Sequence, residues 1–359
     1  MSELCEALKK RLKFVEVSSM RSFDSLLEEV YRTEPRLSGC VAGYEGKAAG
    51  SGMLGLNRTY SLEIRYADDT VEDFDRVVLD DGAWKPSDAL AAAQGVLPVI
   101  QVVTQDLNSL EKRIGDDMNN LKERCPGMVR CRYAWSEKCS NGYASMWIKP
   151  EFAVDDAHYK MYQTLAQREM ERIDSRFFGK GGNIPKLMKV FLAFSYLQQS
   201  CGYDQESADL ISAGQPELMQ CPWTTLPYGA LVKKTAICEG IAAAYKMFMD
   251  YYGIENRIVF GAVGDEQSEH CWNMVCLDGK HYHVDATAGL TGDGVYIGAF
   301  LKSDAQMSST HLWDVSRYPA CTSTRVDFDN VENYVSEHMD ELLRMGVEER
   351  FMCPAEIRE

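Results

Sequence analysis

The sequence predicts an α+β chain: a helix opening near Cys238 packs on an antiparallel sheet, and a smaller α+β region precedes them. Three observations carry this expectation. Apolar residues Ile241, Tyr245, Phe248, Met249 and Tyr252 recur at helical spacing. Two strand-like runs, residues 270–277 and 280–287, flank Asp278-Gly279, the strongest short-range signal for a two-residue type I′ hairpin. Upstream, short alternating runs are interleaved with amphipathic stretches.

In chain order, residues 14–17 read as a strand. Phe23, Leu26, Leu27, Val30 and Tyr31 line one helical face, with Ser22 as its cap. Residues 43–55 are rich in glycine and other small residues and read as a loop. Residues 60–66 alternate as a half-buried strand. A second copy of this pattern follows: a strand at 99–103, a helical face of Leu110, Ile114, Met118 and Leu121 ended by Cys125-Pro126-Gly127, and a strand at 143–148. The alternative is one α+β domain without a repeat. Residues 155–178 read as a long helix, broken by Gly179-Lys180-Gly181-Gly182, which lacks the P-loop pattern. A second helix covers 184–200, and sheet strands begin at 257–260. In the tail, Val331, Val335, Met339, Leu342 and Leu343 mark an amphipathic helix that packs on the body, since its polar face is acidic. The domains follow as 1–152, 153–322 and a helical tail at 323–359.

The hairpin fixes a register. With a two-residue turn, Leu277 pairs with Lys280, Trp272 lies opposite Asp285, and His270 is diagonal to Asp285 on the same face. Diagonal neighbours sit roughly 7–8 Å apart, within reach of an imidazole and a carboxylate. A slip of one residue would separate them. Asn273 is expected to bond locally. Cys238 falls in or just before the first turn of its helix, where the dipole and free N–H groups favour a thiolate and a nearby His⁺ favours it further. Gly253 sits where a C-terminal cap belongs.

Cys238-Glu239-Gly240, His270-Cys271-Trp272-Asn273 and Val284-Asp285-Ala286-Thr287 resemble the three motifs of the transglutaminase-like superfamily, whose bacterial members commonly read C-x-G-[YF]-A, H-A-W-N and V-D-x-T. The resemblance covers roughly residues 159–319. Each motif alone is weak; the three in order are specific. It implies a papain-like catalytic domain in which Cys238 is the nucleophile, His270 its base and Asp285 the orienter. Residues 300–304 and 311–314 also resemble the end of bacterial members. Cys271 replaces the usual alanine and Ile241 the usual aromatic.

The expected chemistry is a Cys-His-Asp triad acting on peptide or protein amides through an acyl-enzyme. Water releases the acyl group in a peptidase; an amine releases it in a transglutaminase. Peptide hydrolysis is favoured, because no acceptor-amine site is evident; a transglutaminase or deamidase, and a binding protein that keeps the fold without turnover, are the alternatives. Oxyanion donors are expected from the Cys238 N–H and from Tyr228 or Trp223, with Tyr228 preferred, and Trp272 is expected as a wall of the site. Taken singly, any of the 12 cysteines is more often a small buried hydrophobe, and only the surrounding motifs separate Cys238 from the rest. His281, His283 and Asp285 with His270 form a donor set of metal-binding type, but the resemblance already accounts for His283, so no metal and no cofactor is expected.

Composition sets the remaining bounds. Hydrophobic content of 45% and charged content of 26% are ordinary globular values. A net charge of −16 argues against nucleic acid and anionic membranes as partners. No apolar run approaches the ~18 residues of a spanning helix. The N-terminal residues are charged and lack a signal core, so a cytoplasmic protein with reduced thiols is expected unless a secretion signal was trimmed.

Overall fold

The computed structural model describes residues 2–51, 57–67, 77–80, 100–106, 108, 122–123, 125–136, 138–179, 184–290 and 294–358. The chain divides into two compact units, Met1–Leu121 with Arg130–Glu151, and Lys122–Val129 with Phe152–Glu359.

The first unit opens with α1 (Ser2–Lys9), β1 (Phe14–Ser19) and α2 (Phe23–Thr33). Ser22 caps α2 by accepting from the Ser25 N–H. β2 (Val41–Ser51) and β3 (Asn57–Tyr66) complete a sheet of order β1-β3-β2. Leu4 and Leu8 of α1, Phe23 and Val30 of α2, and Leu62 and Ile64 of β3 share one buried cluster. The glycine-rich segment read as a loop is therefore a strand through Ser51. Pairing with β3 gives its backbone groups partners, and this outweighs the weak strand propensity of its glycines. Gly46 is required there: a Cβ would come 2.2 Å from the Ser61 carbonyl oxygen.

β4 (Val77–Asp80), β5 (Ile100–Thr104), β6 (Met128–Trp135) and β7 (Ala144–Phe152) form a second sheet of order β4-β5-β7-β6. β5 is buried along its length, as its apolar run suggests. The helix expected over Leu110, Ile114, Met118 and Leu121, and the break at 180–182, lie outside the described residues.

In the second unit, α3 (Asp156–Phe177) is capped by Asp155 and α4 (Lys186–Ser200) is buried on nearly every side. β8 (Gly202–Tyr203), α5 (Gln205–Ser212) and β9 (Thr235–Ala236) lead into α6 (Cys238–Tyr251). β10 (Asn256–Val263), β11 (Ser268–Leu277) and β12 (Lys280–Val284) follow; β13 (Val295–Tyr296), α7 (Asp304–Met307) and β14 (His311–Trp313) come next. The main sheet is antiparallel, of order β12-β11-β10-β14. α6 packs its small residues Ala242 and Ala243 against Ile258 and Cys271 of this sheet. Asn273 does not bond locally: its Nδ2 donates to the Ala242 carbonyl at 3.0 Å and ties β11 to α6.

α8 (Phe328–Arg344) starts at an Asp327–Asn330 capping box and buries Phe328, Val331, Val335 and Leu342. Leu343, expected on the apolar side, is 44% exposed. The helix breaks at His338 (φ −122°, ψ 16°), and beyond the break Leu342 alone of the two leucines turns inward. α9 (Glu349–Met352) and β15 (Ile357–Arg358), parallel to β13, end the chain. No helix among the described residues is long and apolar enough to cross a membrane.

Candidate active site

The site is built at the start of α6. Ile237 is the N-cap in extended conformation and makes no side-chain cap bond to the first turn that carries Cys238. The other end closes by a Schellman arrangement: Gly253 has φ 64°, its N–H bonds the Asp250 carbonyl, and the Ile254 N–H bonds that of Met249. Gly240 explains the third motif position. A Cβ there would meet the Thr224 carbonyl oxygen at 2.2 Å and that of Leu226 at 3.0 Å. The first turn of α6 is thus pressed against the preceding segment, and only glycine fits.

The hairpin has the expected register, Leu277↔Lys280 through Asn273↔Val284. Asp278 (φ 50°) and Gly279 (φ 73°) both take the positive φ of a type I′ turn. The ladder stops at Val284, and the Asp285 N–H turns to the Ala299 carbonyl at 2.9 Å. Its carboxylate, 2% exposed, stands 2.9 Å from His270 Nε2 through Oδ2 and accepts the Thr287 N–H at 2.8 Å through Oδ1.

A second imidazole shares the carboxylate. His311 Nε2 lies 3.2 Å from the same Oδ2, and His311 Nδ1 is 2.8 Å from Thr310 Oγ1. Thr310 Oγ1 also lies 3.5 Å from the Met307 carbonyl oxygen. Burial raises the Asp285 pKa, but His270 and His311 outweigh it and hold the carboxyl below the usual carboxylate range. Burial likewise lowers His270, but the Asp285 charge and hydrogen bond and then Cys238 push it up to about 10.

Cys238 is part-buried. Hydrogen bonding with the Cys271 thiol, opposed by burial and joined by the His270 imidazole, holds its thiol well below the ordinary range. Cys271 is raised well above it, chiefly by the same bond with Cys238 and by burial. Tyr203 responds to the same group. Burial raises its pKa most; the charge of Cys238 and a hydrogen bond to it add, and the Cys238 backbone N–H opposes them. Glu239, next in sequence, accepts the Gly127 N–H at 2.9 Å, and burial pushes its carboxyl up to about 7.

Of the other residues singled out by sequence, Trp272 adjoins this centre. Trp272 is fully buried, stacks on His270 at 6.0 Å between ring centroids, and donates Nε1–H to His283 Nδ1 at 2.9 Å. Tyr228 stacks on Tyr162 at 4.4 Å, and Lys233 Nζ lies 5.6 Å above the Trp223 ring and 5.9 Å above the Tyr228 ring. The tyrosine whose hydroxyl feels the Cys238 charge is Tyr203, carried by the two-residue strand β8 beside β9. Periodicity does not reveal a strand of that length, nor the three-residue β14 that delivers His311.

His270, Asp285 and His311 bring three potential metal-donor atoms within 4.8 Å of one another. Both imidazole Nε2 atoms bond the carboxylate. His283 is engaged at both nitrogens, by Trp272 and by Asp304 Oδ1 at 2.8 Å, and has none left to share a metal with His270.

Residues 181–286 match the family model of the transglutaminase-like superfamily. A solved structure described as the crystal structure of a TGase aligns over 55% of this chain and 53% of its own, at 15% identity and a TM-score of 0.26. No curated protein matches the chain. Over residues 181–286, less than half of its length, the chain is similar to the transglutaminase-like superfamily.

Proposed function

We propose that this protein is a thiol peptidase in which Cys238 is the nucleophile, His270 the acid–base and Asp285 the residue that orients it. The observation that carries the reading is the 2.9 Å bond between His270 Nε2 and Asp285 Oδ2, beside a cysteine at a helix N-terminus whose proton is weakly held. That bond commits Nε2 to the carboxylate and leaves Nδ1 for the sulfur side.

In this reading the Cys238 sulfur, already a thiolate paired with the His270 imidazolium, attacks the carbonyl carbon of a peptide amide. The oxygen that becomes negative is met by the Cys238 N–H and the Tyr203 hydroxyl, the two donors next to the sulfur. His270 gives its proton to the leaving amine, then takes one from the water that releases the acyl group. Asp285 keeps the ring in one tautomer and stabilises its cation. His311, bonded to the same oxygen, holds the carboxylate in place as the ring changes charge.

The acyl acceptor decides between hydrolysis and transfer. Incubation with a peptide library, with and without a primary amine, followed by mass spectrometry, reads the outcome. Peptide cleavage that is insensitive to the amine is expected. Amine incorporation at glutamine would make the protein a transglutaminase, and glutamine deamidation without cleavage a deamidase. No product, with Cys238 alkylated no faster than the other cysteines, would leave a binding protein that retains the fold.

A further inference from the structure

Cys271 forms no bond to substrate in that chemistry, yet it stands where the fold brings a second thiol to the first. Strand alternation puts Cys271 and Asn273 on the sheet face that α6 covers. Asn273 bonds the Ala242 carbonyl, which fixes the local alignment of β11 on α6. Two residues back along the strand is roughly 6.6 Å, and four residues back along the helix is roughly 6 Å. From the Asn273–Ala242 contact, these steps lead to Cys271 and Cys238. Both sulfur residues pack against the same small cluster of Ala242, Ala243 and Ile258. Cys271 is 3% exposed, whereas Cys238 is only partly buried.

We propose that Cys238 and Cys271 form a reversible oxidation site, in which Cys238 reacts with a hydroperoxide and Cys271 resolves it as a disulfide. In the first step the Cys238 thiolate attacks one peroxide oxygen. An S–O bond forms and the O–O bond breaks. The leaving hydroxide takes the His270 proton and becomes water, and Cys238 is left as a sulfenic acid. In the second step the Cys271 sulfur attacks that sulfur. The S–S bond forms and the S–O bond breaks, and the released hydroxide and the Cys271 proton make a second water. Two thiols lose two electrons and one hydrogen peroxide is reduced to two waters. A weakly held proton on Cys238 suits the first step. Cys271 must lose its own proton as it attacks, and the chief cause that raises it, the bond with the Cys238 sulfur, is gone once Cys238 is a neutral sulfenic acid. Where the family commonly carries alanine, this chain carries the resolving sulfur. The disulfide would occupy the nucleophile and block the site until a thiol reduces it.

The test is hydrogen peroxide added to the reduced full-length protein, read by intact mass and non-reducing peptide mapping. The expected product is ~2 Da lighter, with the Cys238 and Cys271 peptides joined and restored by dithiothreitol. In Cys271→Ala, Cys238 has no partner and should accumulate the irreversible sulfinic acid, ~32 Da heavier, which dithiothreitol does not reverse. A wild-type protein that passes directly to sulfinic acid overturns the proposal, as does a disulfide joining other cysteines. So does full dithiothreitol recovery of Cys271→Ala. Iodoacetamide labelling of Cys238 before peroxide reports its reactivity separately, so a failed disulfide and a failed peptidase reading give different results.

Discussion

Asp285 is the residue on which the site turns, because one of its oxygens holds two imidazoles and the other a backbone N–H. Its pairing with His270 was legible in advance: the Asp278-Gly279 turn fixes the register, and the register fixes the face. Tyr203 was not legible, and His311 only as part of the resembling run 311–314 without a role, because each rides on a strand too short to leave a pattern. The charges make a prediction about pH. His270 is raised from 6.5 to about 10, so its stabilisation is fully present below pH 6.5 and is lost as pH rises through 10. Cys238 is depressed below 9, so its contribution is present above pH 9 and is lost as pH falls through its folded value. Between 6.5 and 9 the folded pair keeps the imidazole proton and the unfolded pair keeps the thiol proton. Proton numbers match, and the two contributions cancel in slope. Cys238→Ala removes one of them and leaves the other to Asp285, the larger cause of the raised His270. Urea unfolding from pH 6.5 to 9 should then show wild-type stability minus that of the variant rising with pH, approaching about 1.4 kcal/mol per unit for one proton. Parallel curves would mean that no such ion pair exists.

At the scale of elements, α6 matters through its first turn. The helix itself was readable from its apolar spacing and its Gly253 stop, but Gly240 was readable only as a motif letter. Its physical reason needs the fold: the Thr224 carbonyl lies where a side chain would start, and that carbonyl also accepts the Ile237 N–H at 3.1 Å. Gly240→Ala must therefore push the helix start away from its neighbour, since the obstructing atoms are backbone. The expected cost is about 1–3 kcal/mol, typical of overpacking, despite the better helix propensity of alanine. Because the shift begins at the turn that carries Cys238, the rate of Cys238 alkylation near pH 7 should fall as well. Unchanged stability and unchanged alkylation would show that the first turn tolerates displacement. The misreading of β2 has the same origin in reverse. Its glycines look like a loop until β3 supplies the partners that make them a strand.

On the scale of the whole chain, the α+β class was visible from the alternation of two periodicities, but the path between the two compact units was not. Short segments that leave one unit, serve the other and return carry no compositional mark. Lys122–Val129 is such a segment, grouped with Phe152–Glu359 although Arg130–Glu151 belongs with the N-terminal unit. It contributes specific bonds. The Glu123 carboxylate, 12% exposed, lies 3.1 Å from Arg257 Nη2 and accepts the Ile258 N–H at 3.2 Å, both at the start of β10. The Gly127 N–H reaches Glu239, beside Cys238. A cut at 152, where the sequence alone places the boundary, would remove all of these. Glu123→Ala isolates part of that loss within the intact chain. It leaves the Arg257 guanidinium, 34% exposed, without its carboxylate and the Ile258 N–H without an acceptor, at an expected cost of about 1–3 kcal/mol. A fragment beginning at residue 153 should be less stable still, because it also exposes Glu239 and the face of β10 that the segment serves. Urea midpoints of the full chain, the Glu123→Ala chain and the fragment should fall in that order. A fragment as stable as the full chain would mean that residues 122–129 add nothing to the unit they join.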